Sequence, residues 1–166
     1  MTTVNGMDVA SLNGYVDRIR QDRRVADRNF MAVAHWEGET RSRVEVDGRK
    51  SLSLGGNDEF SGMHTVLGAL AACDIEVIAT HATLVGLEIK DLRIEVKGDF
   101  NIASLLGVES PTDAAYEAIT YKVVMDAPGA TEEQLDRLRQ ACESSSPVGD
   151  SLRKAIPVTF EFESSG

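Results

Sequence analysis

The chain has 166 residues, of which 42% are hydrophobic and 27% charged, so it can bury a core of its own and is neither a disordered segment nor a stapled miniprotein. With 27 acidic against 17 basic side chains its formal net charge is −10, which repels polyanions and excludes nucleic acid and anionic membrane as expected partners. Two cysteines, Cys73 and Cys142, are too few for a secreted disulfide framework, and the N-terminal stretch lacks the basic start and apolar run of a signal peptide; the expected setting is a reducing cytoplasm.

In chain order, Val9, Leu12, Val16 and Ile19 recur near helical spacing, with Asp17, Arg18, Arg20, Asp22, Arg23 and Arg24 turned outward, and predict an amphipathic first helix over about 9–24. Period-two patterns follow over 30–36, 41–46 and 50–54. Asp47-Gly48 supplies a two-residue hairpin signal, so three antiparallel strands in a meander are expected.

Beyond the loop Gly55-Gly56-Asn57-Asp58, residues 63–87 are apolar or small on almost every side. This predicts a long helix covered nearly all round, ended by Gly86. Its Asp74, Glu76, His64 and His81 argue against a membrane span, because ionisable groups are costly in hydrocarbon. Alternation resumes at Leu92, Ile94 and Val96 and at Ile119, Tyr121 and Val123, with a long connection over 99–118 between these two strands. Thr131 and Gln134 have capping-box spacing and open a helix through Leu135, Leu138 and Ala141. A short helix over 150–154 and a last strand through Val158, Phe160 and Phe162 complete an α+β order, with antiparallel sheets wrapped round a central helix.

Cys73, in the middle of the apolar helix, has two readings. A cysteine on an apolar face is commonly a small inert hydrophobe; to act as a thiolate it needs a cation close by, which His64, Arg41 or Arg43 could supply and which Asp74 or Glu76 would oppose. His64, Cys73 and His81 lie nine and eight residues apart, about two and a half turns, too far along the axis to share one ion, so no metal is expected. The Gly55-Gly56 pair lacks a phosphate-loop lysine, and no cofactor motif is present.

The two-glycine loop, ALAACD, KGDF, LGVES, YEAITYKVVMDAP and ESSSPVGDSL, in that order over roughly 29–162, resemble the OsmC/Ohr family of osmotically inducible and organic-hydroperoxide-resistance proteins. The resemblance implies a single domain over 1–166, with 1–28 as an N-terminal helical extension. It further implies an intertwined homodimer whose sheets enclose long central helices, with the site at the subunit interface.

In peroxide-reducing members a thiolate on the buried helix attacks the peroxide, a second cysteine just before a proline closes a disulfide, and dithiols restore the pair. An arginine from the first strands and a glutamate ten residues before the cysteine tune the thiolate. Cys73 matches the reactive position. The residue before Pro147 is Ser146, with Cys142 four positions earlier; Met63 stands in the glutamate's place, with His64 beside it; Arg41 and Arg43 both lie in the arginine's segment.

The resemblance thus implies thiol-dependent reduction of an organic hydroperoxide at Cys73, with Arg41, His64, Cys142 and Ser146 as candidate auxiliaries and an external thiol as reductant. The alternative is a protein without the peroxidase cycle that binds a small apolar ligand at the dimer interface. A redox sensor built on Cys73 is a third possibility.

Overall fold

In the computed structural model, which describes residues 2–164, the chain opens with a hairpin of two short strands, β1 (Thr3–Val4) and β2 (Met7–Asp8). This element is too short for periodicity to reveal. Asn5 makes its turn at φ 49°, a conformation asparagine tolerates, and its side chain ties the hairpin to the body. It donates to Thr83 Oγ1 and to the Leu87 carbonyl at 3.1 and 2.9 Å, and accepts from the Ile89 amide at 2.8 Å. Asp8 then caps α1 (Val9–Gln21) by accepting from the Ser11 amide at 2.7 Å.

The meander forms as expected, with β3 (Ala32–Trp36), β4 (Ser42–Val46) and β5 (Ser51–Leu54) paired antiparallel in that order. Asp47 and Gly48 both take positive φ, 50° and 64°, as a tight right-twisted hairpin requires. A Cβ on Gly55 would lie 1.9 Å from the Thr40 carbonyl oxygen, so only glycine lets the next loop cross there.

Helix α2 (Gly62–Leu84) is the axis of the molecule. Ser61 and His64 form its capping box. At its far end Gly86, at φ 68°, closes a Schellman turn: Leu87 N–H donates to the Ala82 carbonyl at 2.9 Å and Gly86 N–H to that of Thr83 at 3.1 Å. The long antiparallel pair β6 (Asp91–Phe100) and β7 (Tyr116–Asp126) lies on one side of α2; the connection between them contains a single 3₁₀ turn, Ser104–Leu106. α3 (Glu132–Ser145), opened by the Thr131–Gln134 capping box, and α4 (Pro147–Arg153) also pack on α2. Ile78, Ala82, Leu87, Leu138 and Cys142 form the core, with Leu92, Ile94 and Met125 against it. Each large apolar side chain sealed there contributes about 1.5–3 kcal/mol.

Two expectations need correction. Within one chain α2 is not covered all round: Leu70, Asp74, Val77, Ile78, Ala82 and Thr83 are buried, while Ile75 is 39% exposed. The reason is that α1, β6, α3 and α4 cover only part of its circumference, and the β3–β5 sheet shares no substantial contact with it. Nor do residues 157–164 form a strand; Val158, Phe160 and Phe162 are 87%, 84% and 79% exposed. A strand persists through its pairing, and among the described residues no strand pairs with that segment.

Candidate thiol site

Ser146 stands where α3 stops and α4 begins. The proline at 147 disfavours helical backbone in the residue before it, and Ser146 accordingly adopts φ −79°, ψ 109°. The resulting break turns its side chain inward, where it is 1% exposed. Its hydroxyl accepts from the Gly149 amide at 3.1 Å, capping α4, and donates to the sulfur of Cys73 at 3.6 Å. These two bonds run in series from the α4 backbone to the thiol, so each polarises the other. Cys73 itself is half-buried in the middle of α2.

Gly149 and Arg153 complete this corner. A Cβ on Gly149 would lie 2.9 Å from Ser146 Oγ and 3.4 Å from Arg153 Nη2, so the missing side chain is what lets the hydroxyl and the guanidinium approach the same point. Arg153 Nη2 donates to the Glu143 carbonyl at 2.7 Å and to the Asp150 carboxylate at 3.1 Å. A cleft of about 530 Å³ opens beside it, walled by Met63, Val66, Leu70, Tyr116, Tyr121 and Arg153. Two wall residues adjoin the Cys73–Ser146 pair: Leu70 lies one turn before Cys73 on α2, and the Gly149 amide donates to Ser146.

The other candidates lie elsewhere in the chain. Cys142 is buried and unbonded, facing a second cleft with Ile78, Tyr121 and Leu138. Its thiol is pushed up to about 11, first by burial and then by the carboxylates of Asp74 and Glu143, so at neutral pH it is held as the thiol. His64 is engaged in capping α2, its Nδ1 at 2.9 Å from the Ser61 hydroxyl, and stands about 13 Å along the axis from Cys73. Arg41 pairs with Glu39 at 3.2 Å and lies against Gly56; Arg43 pairs with Glu37 and Glu45. Asp74, fully buried beside Cys73 in sequence, finds no hydrogen-bond partner for either carboxylate oxygen among the described residues.

Arg153, Gly149 and Tyr121 are absent from the sequence-based candidates. The spacing of Ser146, Gly149 and Arg153 places all three on one helical face once the helix starts at Pro147. Starting it at Asp150 conceals that face.

The same elements and their order recur in known proteins. Residues 55–161, well over half of the chain, match the family described as OsmC-like protein. No curated protein matches the chain. Among solved structures, an OsmC-like protein from Mycoplasma pneumoniae superimposes with a TM-score of 0.65 at 15% identity, covering 76% of this chain and 89% of that one. An organic hydroperoxide resistance protein OsmC from Legionella pneumophila gives 0.55 at 16% identity, covering 76% and 90%. The organic hydroperoxide resistance protein OhrB of Bacillus subtilis gives 0.50 at 13%, covering 76% and 91%. At these identities the structural likeness speaks for the fold, and the sequence match for the family: this chain belongs to the OsmC-like proteins.

Proposed function

We propose that this protein is a thiol-dependent peroxidase that reduces organic hydroperoxides at Cys73. The observation that carries this reading is the hydrogen bond from the buried Ser146 hydroxyl to the Cys73 sulfur, with the neighbouring Leu70 and Gly149 in the wall of an apolar cleft. A hydroxyl donor stabilises a thiolate more than a thiol, and the cleft accommodates the alkyl part of a hydroperoxide. In the reaction the Cys73 thiolate bonds to the distal peroxide oxygen, the O–O bond breaks, and the alkoxide leaves and takes a proton from solvent. Cys73 is thereby oxidised by two electrons to the sulfenic acid while the peroxide is reduced to an alcohol.

With serine at 146 and the Cys142 thiol held protonated, resolution falls to an external thiol. One thiol displaces water from the sulfenic acid to form a mixed disulfide, and a second releases Cys73 as the external disulfide forms. The acting unit is a cytoplasmic homodimer. Phe30 and Met31 just before β3, Trp36 and Leu52 on the β3–β5 sheet, and Val158, Phe160 and Phe162 of the C-terminal segment, all more than half exposed, support an apolar surface that a second copy covers. The test is consumption of an organic hydroperoxide in the presence of a dithiol. Activity in the wild type and none in Cys73→Ser is expected; equal consumption by the two overturns the reading.

A second reading, retention of a small apolar ligand without turnover, draws support from the same cleft and from Ser146 standing where a second cysteine would be needed. Native mass spectrometry of the purified protein separates the two, since a copurifying ligand together with an unreactive Cys73 favours binding alone.

A further inference from the structure

We infer that Arg153 is the residue that binds the departing oxygen of the hydroperoxide, an inference that rests on the peroxidase reading of Cys73. The reaction needs a cation or strong donor near the sulfur, because negative charge moves from sulfur to the leaving alkoxide as the O–O bond breaks. His64 caps α2 about 13 Å along the axis from Cys73, and Arg41 and Arg43 belong to the β3–β5 meander, which shares no substantial contact with α2. Arg153 differs from them in position. Its Nη2 and Ser146 Oγ flank one point, the vacant Cβ site of Gly149, at 3.4 and 2.9 Å, and the Ser146 hydroxyl is the group that donates to Cys73.

The guanidinium also lines the apolar cleft together with Tyr121, Leu70 and Gly149, so an alkyl group held there lies against Arg153 on the side of the molecule where Leu70 and Gly149 adjoin Cys73 and Ser146. Two of the contacts that hold it, to the Glu143 carbonyl and the Asp150 carboxylate, both come from Nη2. Neither of these contacts uses Nη1 or Nε, and the Tyr121 hydroxyl is a further partner of the guanidinium, so at least two of its five N–H groups are left for a ligand. The same fork geometry serves an alkoxide oxygen better than a lysine's point charge.

The thiolate's attack on the distal oxygen and the cleavage of the O–O bond are unchanged in this account. Arg153 donates an N–H to the proximal oxygen as it becomes the alkoxide, and the proton that completes the alcohol comes from solvent. Alkylation of the same thiolate by iodoacetamide releases iodide and no alkoxide, so it does not draw on this donor.

The two reactions are measured on Cys142→Ala protein, in which Cys73 is the only thiol, with and without Arg153→Gln or Arg153→Lys. Expected is a fall of about tenfold or more in the second-order rate of Cys73 sulfenate formation with cumene hydroperoxide in Arg153→Gln, with partial recovery in Arg153→Lys. The iodoacetamide rate should change less than about twofold, below what one hydrogen bond is worth. An unchanged peroxide rate overturns the inference, and so does a parallel fall in both rates, which would mark Arg153 as a purely structural support of α4. If the parent protein itself fails to react with the hydroperoxide, the peroxidase reading fails first, and the measurement shows that separately.

Discussion

The hydroxyl of Ser146 donates to the sulfur of Cys73 across 3.6 Å, joining residues 73 positions apart in the chain. Ser146→Ala removes this donor and the α4 cap together. It should slow peroxide reaction at Cys73 by about tenfold, the equivalent of one hydrogen bond of roughly 1–1.5 kcal/mol, and lower thermal stability by about 1 kcal/mol. Stopped-flow rates and a melting curve check both. Ser146→Thr, which keeps the hydroxyl, should retain more of the rate than the alanine variant.

The same proximity predicts that Ser146→Cys closes a disulfide between position 146 and Cys73 under mild oxidation. Non-reducing mass spectrometry after treatment with one equivalent of peroxide reads the outcome. Two thiols persisting unbonded would mean that the α3–α4 break does not hold position 146 against Cys73.

Burial and the carboxylates of Asp74 and Glu143 push the Cys142 thiol up to about 11. The folded chain therefore holds this proton more tightly than the unfolded chain does. The associated stability is complete below the unfolded value, near 9, and is lost as pH rises toward about 11. Tyr121, raised by burial first and then by Asp74, acts in the same direction. Urea midpoints measured from pH 8 upward should fall for the wild type and fall less steeply for Cys142→Ala.

Asn5 gives a test of how the N-terminal hairpin is held. Its three side-chain hydrogen bonds reach Thr83, Leu87 and Ile89 around the end of α2. Asn5→Ala should cost about 2 kcal/mol, at roughly 0.5–1.5 kcal/mol per bond, and should speed hydrogen exchange of the Ile89 amide, which loses its acceptor.

The exposed apolar surface predicts self-association. Trp36, 77% exposed in one chain and the only tryptophan, should show blue-shifted emission at concentrations where light scattering reports a dimer. Phe160→Glu, changing a residue 84% exposed in one chain, should shift the mass toward the monomer and redden that emission. A wild-type protein monomeric at all concentrations would remove the homodimer from the account.

Periodicity locates the meander, α2, the β6–β7 pair and α3 because those signals are local: alternation, the all-round apolar run of α2, the capping box at Thr131 and the Asp47-Gly48 turn act within a few residues. Cys73 stood out for the same local reason, as the one thiol in an apolar run. Its contact with Ser146 depends on how α3 breaks at Pro147 and lands on α2, which no local pattern carries. Arg153 was hidden because α4 begins at Pro147 rather than Asp150. The segment around Phe160 alternates like a strand yet forms none, since alternation marks a face to be buried while a strand also needs a partner edge. The incomplete cover on α2 has a similar cause: its composition calls for burial on nearly all sides, and one chain supplies only part of it.

The most direct measurement is the rate at which Cys73 becomes a sulfenic acid. In Cys142→Ala protein, with cumene hydroperoxide in stopped flow and the sulfenate trapped by a 1,3-diketone, the account predicts a second-order rate far above that of free cysteine at the same pH. A rate equal to or below that of free cysteine would contradict it.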